Sequence, residues 1–463
     1  MVIAVTLIAL LLSFIVVGIV SETQKQNTTT DYLLASRNVN PWLTALSAMA
    51  TGQSGLLFIG QVGFAYTRGV SSIWLTIGWA FGDYLAWCLI FKRLRELSAA
   101  NAIDTVSSFL GHNVRGSRWI VFVSAIITIA FLGSYAAAQL VAGSKALYAV
   151  FGWNYYLGII LGAVIVGIYC FSGGIRASIW TDAVQAIIMI GSLLLLLGVT
   201  VVEGGGVGEV WRSLGEIDPA LINFNPPNLQ LGLLPFIFGW VVAGFGVVGQ
   251  PHILVRAMAI DSANNMGLAR DIKVVCGLIT SFSAIGVGLT GRILLPAMLA
   301  GGDPELTLPY LALEFLPDIL IGLMLAGLFS ATMSTADSCI LSCSAALTQD
   351  LFPGAAHSYK LVQFGTLTVT VIVLAIALTG DDSVFTLVTF SWSALASGLG
   401  PLLVVRVLEK PITTPVALTM MLTGIFAALS WNLVLHLSSI VYEVLPAMAA
   451  GTLVYFLLPK KQA

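Results

Sequence analysis

Thirteen apolar runs, joined by spacers too short for a folded soluble domain, leave this chain few architectures. They fall near 2–20, 42–66, 70–92, 119–148, 154–172, 182–202, 231–250, 273–298, 319–348, 361–379, 384–407, 413–434 and 440–458. A hydrocarbon core about 30 Å thick takes roughly 20 helical residues to cross, and the runs have that order of length. Barrel strands would be about half as long and would alternate in polarity. In lipid, only a helix or a closed barrel satisfies every backbone polar group. The chain therefore reads as an all-α integral membrane protein of about thirteen helices. Composition agrees: 58% of 463 residues are hydrophobic and 9% charged, against roughly 25% charged in soluble domains.

The first run lacks the basic flank and small-residue cleavage pattern of a signal peptide, so it reads as the first helix. With the N-terminus outside, all of the 20 lysines and arginines except Arg68, Lys145, Arg212 and Arg292 fall on inner loops or on the tail. Lys25, Arg176, Arg256, Lys273, Lys460 and Lys461 are among them. This excess predicts a plasma-membrane protein with its N-terminus outside and its C-terminus cytoplasmic. No basic cluster points to nucleic acid. Cys88, Cys170, Cys276, Cys339 and Cys343 lie within or beside apolar runs, in neither a disulfide frame nor a zinc spacing. The longest segments between runs are 203–230 and 299–318; the second carries Asp303, Glu305, Glu314 and Asp318, and both read as solvated outer loops.

Function should lie where polarity is expensive. A charged side chain at mid-helix costs roughly 2.5–3.5 kcal/mol on insertion scales, and Asp83, Asp182 and Asp337 stand inside or beside apolar runs. Asp337 is the most informative, because Ser334, Thr335 and Ser338 surround it at helical spacing. Hydroxyl and carboxylate oxygens without nitrogen or sulfur ligands suit a hard cation such as Na⁺. Asp83 reads as a structural acid, partnered by a tyrosine or a helix amide.

Two other stretches interrupt helices. In "SAMATGQSG" (Ser47 to Gly55), glycines and small polar residues let the backbone open. In "GFGVVGQPH" (Gly244 to His252), three glycines precede a proline. Counted from the second run, they fall in the first and sixth of ten helices, the arrangement an inverted-repeat transporter predicts, with ligands near the midplane.

These stretches, with "RNVNPWLTALSA", "GGIRASIWTDAVQA", "GQPHILVRAMA", "MSTADSCILSCSAALTQDLF" and "YEVLP", resemble the sodium/solute symporter family over nearly the whole chain. The resemblance implies a LeuT-like inverted repeat of five plus five helices, residues 42–202 and 231–407, with peripheral helices in 1–41 and 408–463. It implies a shared Na⁺ site at Ala50, Gln53, Ala331, Ser334 and Thr335 and, as in some members, a second sodium at Asp182, Ser334 and Ser338; Asp337 stands where those members have a hydroxyl, and the added carboxylate reads, with Asp182 and Ser338, as strengthening the second cation site or binding a proton. Substrate would meet Ser54, Gly55, Trp79, Tyr135 and Phe245. Gly52 departs from the family members that carry proline, which have an aspartate there, and Ala243 and Val247 replace an aromatic pair, so the pocket looks partly rebuilt.

The function implied is secondary active symport, coupling inward Na⁺ flux to uptake of a small organic solute, an amino acid such as proline first, with no organic cofactor. The alternatives are a symporter for a monocarboxylate or sugar, and a transporter-like sensor domain, since related domains are fused to histidine kinases. An enzyme is disfavoured: neither an HExxH motif nor a nucleophile elbow is present.

Overall fold

A computed structural model describes residues 1–23, 26, 28–226, 229–299, 302–352, 358–379, 383–438 and 440–459; Lys25, Lys460 and Lys461 lie outside them. The long helices are α1 (Val2–Glu22), α2 (Pro41–Gly55), α3 (Val62–Arg68), α4 (Ile73–Ala86), α5 (Ser117–Phe151), α6 (Tyr155–Glu203), α7 (Leu233–Phe245), α8 (Pro251–Ala259), α9 (Met266–Leu294), α10 (Asp318–Ala345), α11 (Tyr359–Thr379), α12 (Val384–Val407), α13 (Thr414–Leu429) and α14 (Val444–Leu457). Among the described residues, the β-type pairing is a single parallel bridge between Val39 and Ile260.

Local chemistry sets the boundaries. Asn40 caps α2, accepting from the Leu43 amide at 2.9 Å, and Pro41 takes the first helical position, where no amide partner is needed. The near-continuous helical stretch Pro41–Ala100 is a hairpin. Gln61 donates to Thr76 Oγ1 at 2.7 Å, although 15 residues of straight helix would hold them about 22 Å apart. The stretch thus supplies two spans. The long α6 breaks at Gly174 (φ 57°), where a Cβ would lie 2.6 Å from the Tyr32 carbonyl. With those divisions, and α7 and α8 taken as one bent span, the described helices match the thirteen expected runs.

The sixth run begins earlier than its hydropathy suggests. Residues 175–181 are helical, because their polar side chains turn inward. Arg176, expected in an inner loop, is buried and pairs with Asp31 at 2.5 Å. The acidic segment 299–318 is no plain solvated loop either. Glu305, buried, accepts from Lys145 (2.6 Å) and from the Ser383 hydroxyl and the Val384 and Phe385 amides at the start of α12. A carboxylate there satisfies orphan amides and complements the helix dipole.

Burial sorts the bundle. The apolar windows of α10 and α12 are 83% and 89% buried, against 17% for α1. A helix apolar all round belongs at the centre of a bundle, so the polar cluster on α10 sits there, away from lipid.

Candidate functional site

Both expected interruptions are breaks. In the first, helical geometry runs through Gln53 and fails at one residue, Ser54 (φ 57°, ψ −177°), before resuming. Its hydroxyl accepts from the Leu56 amide at 3.1 Å and lies near the Tyr135 phenol. In the second, Gly246–Gly249 form a tight turn, Gln250 is extended, and α8 leaves at 62° to α7. Pro251 opens α8, where its missing amide costs nothing. Gln250 donates to the Trp392 carbonyl at 3.0 Å, tying the break to α12.

The hydroxyl pair of α10 meets α2 one turn before its break. Thr335 Oγ1 lies 2.9 Å from the Thr51 carbonyl and 3.1 Å from that of Ala331, to which Ser334 also donates at 3.2 Å. Ala50, Ala331, Ser334 and Thr335 are fully buried; Gln53 is half-buried, its amide donating to the Gly277 carbonyl. Carbonyl and hydroxyl oxygens from two helices therefore converge.

A charged cluster adjoins this junction. Asp182 Oδ2 accepts from Ser47 at 2.6 Å, and the Thr51 hydroxyl is 3.4 Å away. Asp337 Oδ1 accepts from Ser338 at 2.8 Å and from Ser178 at 3.2 Å. Arg256, placed by sequence among the inner-loop cations, is instead fully buried on α8. It reaches Asp182 (3.2 Å), Ser178 (3.0 Å), Ser47 (3.2 Å) and Ser338. Loop counting missed it because Arg256 follows the helix break by one turn and faces inward. With both acids ionised, the cluster would be one positive charge short of neutrality, and buried charges require partners.

Among the expected substrate residues, Ser54, Gly55 and Tyr135 come together: Tyr135 lies near Ser54, and Gln139, one turn further along α5, accepts from the Gly55 amide at 2.7 Å. Tyr135 is buried edge-on to His252, ring centroids 5.4 Å apart. Trp79 instead lines a cleft with Gly52, Gln53, Gln61, Asp83 and Lys273, a lining that includes neither Tyr135 nor Phe245. Phe245 ends α7 where that helix lies against Gly82. Asp83 has neither a tyrosine nor a helix amide as its principal partner; its carboxylate pairs with Lys273 of α9, another cation expected in a loop. Thr51, Ser47, Ser178 and Gln139 escaped the sequence reading, although Ser47 and Thr51 lie four apart on one helix face, as do Tyr135 and Gln139.

Two broken helices around a buried polar helix define a secondary transporter of the inverted-repeat class, whose ligands bind where the helices open. The fold agrees with two solved structures. A Na⁺-coupled sialic acid symporter in a substrate-bound, outward-open state gives a TM-score of 0.81 at 19% identity, covering 100% of this chain and 99% of that one. Mhp1, a nucleobase-cation-symport-1 family transporter in a closed conformation, gives 0.60 at 14% identity, covering 95% and 98%.

The model of the sodium:solute symporter family matches residues 32–424, and the chain belongs to that family. The high-affinity proline transporter PutP of Bacillus subtilis is 31% identical over 92% of this chain and 91% of its own length. Sodium/proline symporter 2 of Staphylococcus saprophyticus is 28% identical over 96% and 90%. This is a multi-pass plasma-membrane protein with a LeuT-like fold, coupling Na⁺ to the movement of a small organic solute.

Proposed function

We propose that the solute is a small amino acid, proline first, taken up with the N-terminus outside and the C-terminus cytoplasmic, and that the protein catalyses no covalent reaction. The two curated relatives are named for proline transport, and the first has the better identity. Residues 42–202 and 231–407 serve as the two repeats, and 1–41 and 408–463 as peripheral helices.

The observation that carries the reading is the junction of Thr335 with Thr51 and Ala331 beside the break at Ser54. Na⁺ takes the carbonyls of Ala50, Gln53 and Ala331 and the hydroxyls of Ser334 and Thr335. A cation shared by α2 and α10 orders the turn that carries Ser54 and Gly55, and with it the approach of Ser54 to Tyr135. Solute affinity is thereby linked to Na⁺. Trp79 and Phe245 close the pocket from α4 and α7. Asp182, Asp337 and Ser338 hold a second cation or a proton that offsets the charge deficit beside Arg256. One charge moving inward at 100 mV supplies about 2.3 kcal/mol, a roughly 50-fold gradient at about 1.4 kcal/mol per decade; a second charge squares it.

Uptake into proteoliposomes under an inward Na⁺ gradient, with labelled proline beside other amino acids, monocarboxylates and sugars, tests the assignment. Sodium-dependent accumulation of proline supports it. Accumulation of a sugar or monocarboxylate alone overturns the amino-acid reading, and no accumulation of any solute favours a sensor.

A further inference from the structure

Three ion pairs of the interior are knitted into their surroundings. Arg176 donates to the Ala35 carbonyl as well as to Asp31, which also accepts from Ser36. Arg256 reaches three serines besides Asp182. Lys145 holds two acids, and one of them, Glu305, also accepts the Val384 amide. The pair of Asp83 on α4 with Lys273 on α9 is bonded differently. Among the described residues, Asp83 is the one hydrogen-bond partner of Lys273, so two of the three N–H donors of the ammonium are unused.

This pair faces open space. It lines the cleft between α2, α4 and α9 that Gly52, Gln53 and Trp79 also border, a cavity of about 80 Å³. A water needs about 10–15 Å³, so the cleft has room for a small organic molecule. Its neutral polar groups are already engaged: Gln61 donates to Thr76 at 2.7 Å, Gln53 to the Gly277 carbonyl at 3.1 Å, and Ser281 to Gln53 at 3.4 Å. Leu75, Trp79 and Leu278 give the cleft apolar walls. One cation and one anion, side by side, are left to read a solute. Gly277, which receives Gln53, is one helical turn from Lys273, so the pair lies about 6 Å along α9 from that contact.

A zwitterion can enter such a pair and leave every charge matched. Its carboxylate takes the donors of Lys273, its ammonium takes the carboxylate of Asp83, and the net charge of the cleft does not change. A monocarboxylate would satisfy Lys273 and strand Asp83, an amine would do the reverse, and a sugar brings no charge to either. A buried charge left without a partner is strongly penalised, which selects against all three. We propose that Asp83 and Lys273 are the specificity-determining residues of the protein, their ion pair opening to receive the ammonium and carboxylate of an amino acid. The assignment rests on the amino-acid reading given above and places the charged ends of the solute against α4 and α9, apart from Tyr135.

Isothermal titration calorimetry on the purified full chain in saturating NaCl tests this with the standard L-amino acids and D-glucose and, for the amino acid that binds most tightly, with its decarboxylated amine and its deaminated acid. Saturable binding of an amino acid is expected, with the amine and the acid each weaker by at least about tenfold. Asp83→Asn combined with Lys273→Gln removes both charges together and strands neither. It should keep the rise in melting temperature that Na⁺ causes, which reports the junction of α2 with α10, and should bind the amino acid at least about tenfold more weakly. Lys273→Arg, which keeps the charge, should retain most of the affinity. Failure of every amino acid to bind the wild-type chain, binding of the acid, the amine or glucose as tight as that of the amino acid, or wild-type affinity in the neutral double variant would overturn the proposal. If Na⁺ does not raise the melting temperature of the wild type while amino-acid binding still requires the pair, the sodium site is wrong and the pair is upheld.

Discussion

Ser54 occupies backbone space that is essentially reserved for glycine, at a cost of about 1–3 kcal/mol. What it returns is a hydroxyl that accepts the Leu56 amide and lies near the Tyr135 phenol. Ser54→Gly should therefore raise thermal stability while raising the half-saturating solute concentration several-fold; lower stability, or unchanged affinity, would remove the strain argument. Arg256 is the second residue of consequence. Removing it leaves buried Asp182 without its ion-pair partner, so Arg256→Gln should cost about 3–5 kcal/mol in unfolding free energy, and Arg256→Gln with Asp182→Asn should recover part of that. Asp337→Asn balances the cluster by subtraction. It should lower the number of coupled cations per solute, or abolish the pH dependence of uptake, while sparing the Na⁺ requirement set at Thr335. Unchanged coupling at every pH would return Asp337 to a packing role. The hydroxyls of α10 were legible because Ser334, Thr335 and Ser338 share a helix with an acid in an apolar run. Their partners Ser47, Ser178 and Arg256 were not, because each lies on a different element and only the fold brings them to Asp182 and Asp337.

Among the elements, the pairing of α4 with α7 leaves no room for a side chain. A Cβ on Gly82 would fall 1.8 Å from the Val241 carbonyl, and one on Gly244 would fall 2.0 Å from that of Trp79. Either alanine substitution should force the helices apart, at about 1–3 kcal/mol or more, and lower the yield of folded protein; a normal melting temperature and normal uptake for both would show that the contact can slide. Close packing of this kind positions Trp79 and Phe245 on facing helices. The two breaks were legible from their glycines and Pro251, but their sites were not. In the first, Gly52 stays helical and the serine beyond it breaks, its hydroxyl taking the Leu56 amide in a conformation that propensity alone would assign to glycine. Hydropathy placed the runs well. It misplaced the start of the sixth, since inward polar residues such as Arg176 and Ser178 lower the average of a fully helical segment.

At the scale of the whole molecule, the core helices α10 and α12 carry the polar chemistry, while α1 shows most of its surface outward. The charge bias was counted as loop chemistry, yet Arg176, Arg256 and Lys273 have buried or half-buried helical positions with acid partners. The orientation proposed from the remaining cations is open to direct test: an N-terminal epitope should be reached by antibody on intact cells, and a C-terminal one only after permeabilisation. The opposite labelling would reverse the polarity of every loop.

The central claim is that Na⁺ at the meeting of α2 and α10 is carried together with the solute. Its most direct test is simultaneous uptake of labelled sodium and labelled proline into proteoliposomes, comparing wild type with Thr335→Ala and Thr335→Ser. The account predicts a fixed sodium-to-proline ratio in wild type. Thr335→Ala should need at least about tenfold more Na⁺, a lost ligand of about 1.4 kcal/mol being a factor of ten, and Thr335→Ser should retain near-normal coupling. Proline accumulation without sodium flux, or a sodium dependence indifferent to loss of the hydroxyl, would contradict it.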